Sequence, residues 1–135
     1  MIKIEKREAN QYSPLTLAFL GDAVYEQLVR ERIVRSANMP AGKLHDISVK
    51  HVRAGYQAKA YELVGEILTE DEADIMRRGR NASAGNARHV PKSSDSAEYS
   101  RATALEALFG WLRLTENNER MIYIFDYIWE RISAE

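Results

Sequence analysis

Three features of this 135-residue chain predict an all-α fold. Apolar residues recur at spacings of three and four, only three prolines interrupt them, and no segment alternates apolar with polar residues as a half-buried strand does. At 45% hydrophobic and 29% charged, the length suits one domain over residues 1–135 with a sizeable core.

The elements follow in order. Ser13-Pro14 starts a helix, serine capping free amides and proline fitting the first turn. Its apolar pattern runs to about Val34, before a breaker cluster of Ser36, Asn38 and Pro40. Helical character resumes near Gly42-Lys43-Leu44 and continues to about Leu68, as one helix or as two divided between Arg53 and Tyr56, where Gly55 weakens it. Thr69-Glu-Asp-Glu72 reads as a capping box opening a short helix to about Arg78. Gly79 to Ser94 has no helical or strand period and reads as a long loop. Ser94 and Asp95 start a helix reaching about Leu114. Asn117-Asn118 turns into the last one, where Met121, Ile124, Phe125, Ile128 and Ile132 form one apolar stripe.

Composition narrows the function classes. With no cysteine, disulfides, thiol catalysis and thiolate-bound zinc are excluded, and any metal must be held by oxygen or imidazole. His45, His51 and His89 lack the spacing of a zinc site. No segment has the apolar length of a membrane span and no secretory leader opens the chain, so a cytoplasmic protein is expected, with no membrane partner. The formal net charge of −1 does not mark a nucleic-acid binder. Its distribution is more telling, because Arg77, Arg78, Arg80, Arg88, His89 and Lys92 cluster between Ile75 and Ser94 without one acidic residue. Trp111, Trp129, Tyr123 and Tyr127 fit core and interface packing better than a base-stacking platform.

Two acids stand in apolar surroundings. Asp22 sits within Leu17-Ala-Phe-Leu-Gly-Asp-Ala-Val24, and Glu106 within Ala102-Thr-Ala-Leu-Glu-Ala-Leu-Phe-Gly-Trp111. A carboxylate drawn into a core must be neutralised, paired or bound to a metal. Gly21 and Ala23 beside one acid, Ala107 and Gly110 near the other, would let two helices approach closely and bring the acids together. Such a pair suits a hard divalent cation. The plainer reading is a pair at the rim of the core, capped or matched by an arginine.

Phe19-Leu-Gly-Asp-Ala-Val24 resembles the signature of the ribonuclease III catalytic domain, and Glu106-Ala-Leu-Phe-Gly110 resembles its second acidic motif. Gly42-Lys-Leu44 matches a segment after the family's first long helix, so the resemblance extends from about Ser13 to Leu114. Arg77-Arg-Gly-Arg-Asn-Ala82, Val90-Pro-Lys92, Tyr99 and Ala102-Thr103 are similar to the family's compact Mini-III branch, which consists of the catalytic domain alone. The resemblance implies an endonuclease-domain helical bundle in which Asp22 and Glu106 are the catalytic metal ligands. It implies Mg²⁺, with Mn²⁺ able to substitute, and cleavage of double-stranded RNA to 5′-phosphate and 3′-hydroxyl ends. It also implies maturation of 23S ribosomal RNA precursor and a homodimer.

Departures from the larger enzymes qualify this. They carry a further glutamate where this chain has Ala18 and a further aspartate where it has Thr103. Asp95 and Glu98 are candidates to reach the metal through water, against the plainer reading that Asp95 complements the helix N-terminus and Glu98 is solvated. Duplex RNA is recognised through phosphates and 2′-hydroxyls, so Arg77, Arg78, Arg80, Asn81, Arg88, His89 and Lys92 are the expected contacts. No double-stranded-RNA-binding domain is expected after Glu135, and a large-subunit ribosomal protein is a candidate helper. Leu15, Leu17, Phe19, Leu20, Ala23 and Val24 wrap the first helix more widely than one core face needs, as a dimer surface would. The competing function is a catalytically silent RNA-binding or ribosome-associated module with the same fold.

Overall fold

A computed structural model describes residues 2–84 and 96–133. Its elements are α1 (Lys6–Ala9), α2 (Pro14–Ser36), α3 (Ala41–Val52), α4 (Ala54–Val64), α5 (Glu70–Ala84), α6 (Ser96–Leu114) and α7 (Asn118–Arg131). No strand occurs among the described residues, and no helix there is long and apolar enough to cross a membrane.

The caps form as the sequence dictates. The Ser13 hydroxyl accepts from the Leu15 amide, with Pro14 in the first turn of α2. At α5 the Thr69 amide donates to the Glu72 carboxylate at 2.9 Å while the Glu72 amide donates to the Thr69 hydroxyl at 3.2 Å. This is the reciprocal capping box. Burial alone would raise the Glu72 carboxyl, but hydrogen bonds from Arg120 and Thr69 outweigh it and hold it low. Arg120, from α7, grips both Glu72 oxygens at 2.9 Å and also donates to the Ile67 carbonyl, tying α7 to the head of α5. Between α3 and α4 the chain divides at Arg53, whose backbone is extended. Of the one-helix and two-helix readings, two is correct.

Helix α6 is the hub. From Ala102 to Leu112 every residue except Glu106 is buried, because α2, α4, α5 and α7 pack around it. A helix surrounded in this way is apolar on all faces, so its sequence shows no single stripe. Helix α7, at the edge, keeps its stripe: Met121, Ile124, Phe125 and Ile128 are buried, and Ile132 half-buried. Trp111 is buried and donates from its indole to Asn10 at 2.8 Å, whereas Tyr123 is exposed. His51 stacks on Trp129 with ring centroids 4.1 Å apart, a packing role joining α3 to α7.

One expected element differs. Helix α5 does not stop near Arg78 but runs through Gly79 to Ala84. Gly79 lies against α6, where an added Cβ would sit 3.1 Å from both Ala104 Cα and Ala107 Cβ. The glycine permits close helix packing, and that packing outweighs its weak helical propensity. The remainder of the expected loop, and the start of the next helix at Ser94 and Asp95, lie outside the described residues.

Candidate active site

The site arises where α2 crosses α6 with backbones in contact. A Cβ on Gly21 would lie 1.6 Å from the Glu106 carbonyl oxygen, and one on Gly110 would lie 2.0 Å from that of Leu17. Only glycine allows this approach. Asp22 follows Gly21 directly, so the crossing brings its carboxylate to Glu106, and the two side chains share a hydrogen bond. The expectation that small residues would join the two acids is met in the geometry.

The expectation that Asp22 is carried into the core is not. Leu17, Ala18, Val24 and Tyr25 form the buried face of α2, while Asp22 is exposed and Glu106 only partly covered. On a helix that meets the core with one side, a run of apolar residues longer than a turn also covers faces turned away from it. The surplus is visible at Phe19, which is 85% exposed.

Burial, then the neighbouring charge and shared hydrogen bond of Asp22, push the Glu106 carboxyl up to about 8, against an opposing hydrogen bond from Gln57. Two carboxylates this close resist ionising together. Above them opens a cavity of about 370 Å³, whose other lining residues are Leu15, Ala18, Phe19, Ser83, Tyr99 and Thr103. Among these described residues none is basic. The Thr103 hydroxyl donates to the Tyr99 carbonyl at 2.9 Å and accepts from Ser83 at 3.4 Å. No third acid or histidine joins the pair among the described residues. Behind it, burial raises the phenols of Tyr25 and Tyr56, the latter to about 12, so both remain protonated.

Other expected site residues lie elsewhere. Arg77, Arg78, Arg80 and Asn81 belong to helix α5 rather than to a loop. Arg77, Arg80 and Asn81 are exposed, and Arg77 pairs with Asp74. Ser83, one turn after Arg80, lines the cavity, so the basic face of α5 leads to the acids. Arg88, His89, Lys92 and Asp95 fall outside the described residues. Glu98 lines a different cavity, with Arg53, Lys59 and Arg101. Sequence reading missed Gln57, which is 3% exposed and bonded to Glu106. The available signal was the one that singled out Asp22: a polar residue set among Tyr56, Ala58 and Ala60.

Comparison with known proteins agrees with this geometry. Residues 15–117 match the model of the Ribonuclease III domain. The chain is 38% identical over 129 residues to Mini-ribonuclease 3 of Desulfitobacterium hafniense, covering 96% of this chain and 80% of that one. It is 45% identical over 108 residues to the Mini-ribonuclease 3 of Symbiobacterium thermophilum, covering 80% and 81%. A crystal structure of a Fusobacterium nucleatum protein superposes with a TM-score of 0.79 at 31% identity, over 89% of this chain and 93% of that one. The crossing of α2 and α6, the acids it joins and these matches together show that the chain belongs to the ribonuclease III family, in its Mini-ribonuclease 3 branch.

Proposed function

We propose that this endoribonuclease cleaves double-stranded RNA at the Asp22–Glu106 pair with Mg²⁺, leaving 5′-phosphate and 3′-hydroxyl ends. The observation that carries the reading is the pair itself: two carboxylates in hydrogen-bonding contact under a cavity without a basic lining side chain among the described residues. The donor set fits a hard cation, since an ion between the acids would offset both the burial and the neighbouring charge that raise Glu106. Asp22 and Glu106 would hold it, and when bound it would supply an activated water and charge stabilisation for phosphodiester hydrolysis. The protein's own groups prepare the site. The α2–α6 contact fixes the two backbones, and the neutral Thr103 hydroxyl is engaged by Tyr99 and Ser83.

The exposed cations of α5 support contact with an RNA backbone. Arg77 and Arg80 changed together to alanine are expected to weaken duplex binding and to flatten its salt dependence, lowering the slope of log affinity against log salt by about one to two. Filter binding across a salt series measures this, and an unchanged slope would remove α5 from the interface.

The exposure of Phe19, flanked one turn away on α2 by half-buried Leu15 and exposed Ala23, supports a homodimer formed through this face. Phe19→Glu is expected to halve the mass measured by sedimentation velocity. A wild-type monomer, or a variant that keeps the dimer, defeats that assignment. The proposed setting is the cytoplasm and the proposed substrate a 23S ribosomal RNA precursor, with a large-subunit ribosomal protein as helper. The deciding assay is incubation of long duplex RNA with protein and Mg²⁺. Binding without cleavage would replace the enzyme by a silent RNA-binding module.

A further inference from the structure

We propose that Gln57 is the positioning residue of the acidic pair: its side-chain amide, donating from α4, holds the Glu106 carboxylate in register with Asp22 for one divalent cation. The inference rests on the reading of Asp22 and Glu106 as the cation site.

The contact between α2 and α6 fixes the two backbones but not the rotatable bonds of the glutamate side chain. Something must hold that carboxylate. Thr103 cannot, because its proton goes to the Tyr99 carbonyl, and Ser83 is directed at Thr103. Ala18 has no polar group. Asp22 repels the ionised form of Glu106 and bonds only its protonated form. Among the described residues, Gln57 is the hydrogen-bond partner that favours the charged Glu106. Its burial adds weight, since an amide 3% exposed is costly to bury without such a bond. Its neutrality is equally apt. A lysine or arginine would orient Glu106 by neutralising it and so compete with the cation, whereas an amide orients the acid and leaves the site's negative charge intact.

Gln57→Leu and Gln57→Met retain most of the volume and remove the donor. Partners of this kind control metal affinity or activity by about 10–100-fold. Mn²⁺ binding without RNA, measured by calorimetry, is therefore expected to weaken about tenfold. In duplex cleavage kcat is expected to fall, KM for RNA to stay at its wild-type value, and tenfold more Mg²⁺ to recover much of the rate. A residue that merely packs α4 on α6 would show none of this recovery. Wild-type Mn²⁺ affinity and kcat in a folded variant overturn the proposal, as does loss of the helical circular dichroism in both variants. Asp22→Asn is run alongside. If it binds Mn²⁺ like the wild type, the cation site itself is misplaced; if it loses Mn²⁺ while the Gln57 variants keep it, only the role of Gln57 falls.

Discussion

Asp22→Asn is expected to lower cleavage of duplex RNA by about a thousandfold while leaving duplex binding intact. Loss of an outer partner to a metal ligand costs about 10–100-fold, and loss of a ligand itself should cost more. The substitution keeps the shape and removes one of the two carboxyl groups beneath the cavity. Contacts to RNA phosphates should not suffer, because one fewer anion faces the backbone. A second readout needs no substrate. Mn²⁺ should raise the melting temperature of the wild type, as any ligand specific to the native state does, and should leave the variant unmoved. Without metal the variant should stay close to the wild type in stability, since burial is the larger cause of the raised Glu106 carboxyl and the asparagine can still accept the bond that the protonated acid gives to Asp22. Turnover at the wild-type rate would place the metal elsewhere, and a large loss of metal-free stability would make Asp22 a structural residue.

The second large effect concerns a single methyl group. In Gly21→Ala the new Cβ would fall 1.6 Å from the Glu106 carbonyl oxygen, 2.5 Å from its carbon and 2.9 Å from the Gly110 nitrogen. All three are backbone atoms, so no side chain can turn aside. The helices must separate, and α6 cannot recede, because α4, α5 and α7 enclose it. Overpacking of a core costs about 1–3 kcal/mol and occasionally more, and a clash between two backbones belongs at the upper end. The melting temperature should fall by about 10 °C. Activity should fall as well in whatever fraction remains folded, because the atom displaced is Glu106's own. Gly42→Ala is the control. Nothing lies within 4 Å of a Cβ there, so it should be neutral or gain up to about 1 kcal/mol from better helix propensity. Equal behaviour of the two variants would refute the crossing.

Most of the helices could be read from the chain because their signals are local. Ser13-Pro14 and the Thr69–Glu72 box act within one turn, and they form as their chemistry requires. The stripe on α7 was legible because that helix buries one side. Legibility failed where distant packing overrode a local preference. Gly79 reads as a stop and is a point of contact with α6. Helix α1 left no sequence signal, being a single turn held by the burial of Ala9 and followed by the bond from Trp111 to Asn10.

The same division runs through the site. Local sequence suffices to identify the acids, because a charged residue in an apolar helix and its small neighbours are adjacent in the chain, and the family motifs are built from those same neighbours. Exposure, partnership and protonation are properties of the three-dimensional surroundings. They depend on which face of α2 meets α6, on how closely two glycines bring the backbones, and on a glutamine from α4, remote in the chain from both acids. Thus the chain order names Asp22 and Glu106, while the crossing of α2 and α6 leaves Asp22 in solvent and partly covers Glu106, and the packing of α4 on α6 brings Gln57 beside it.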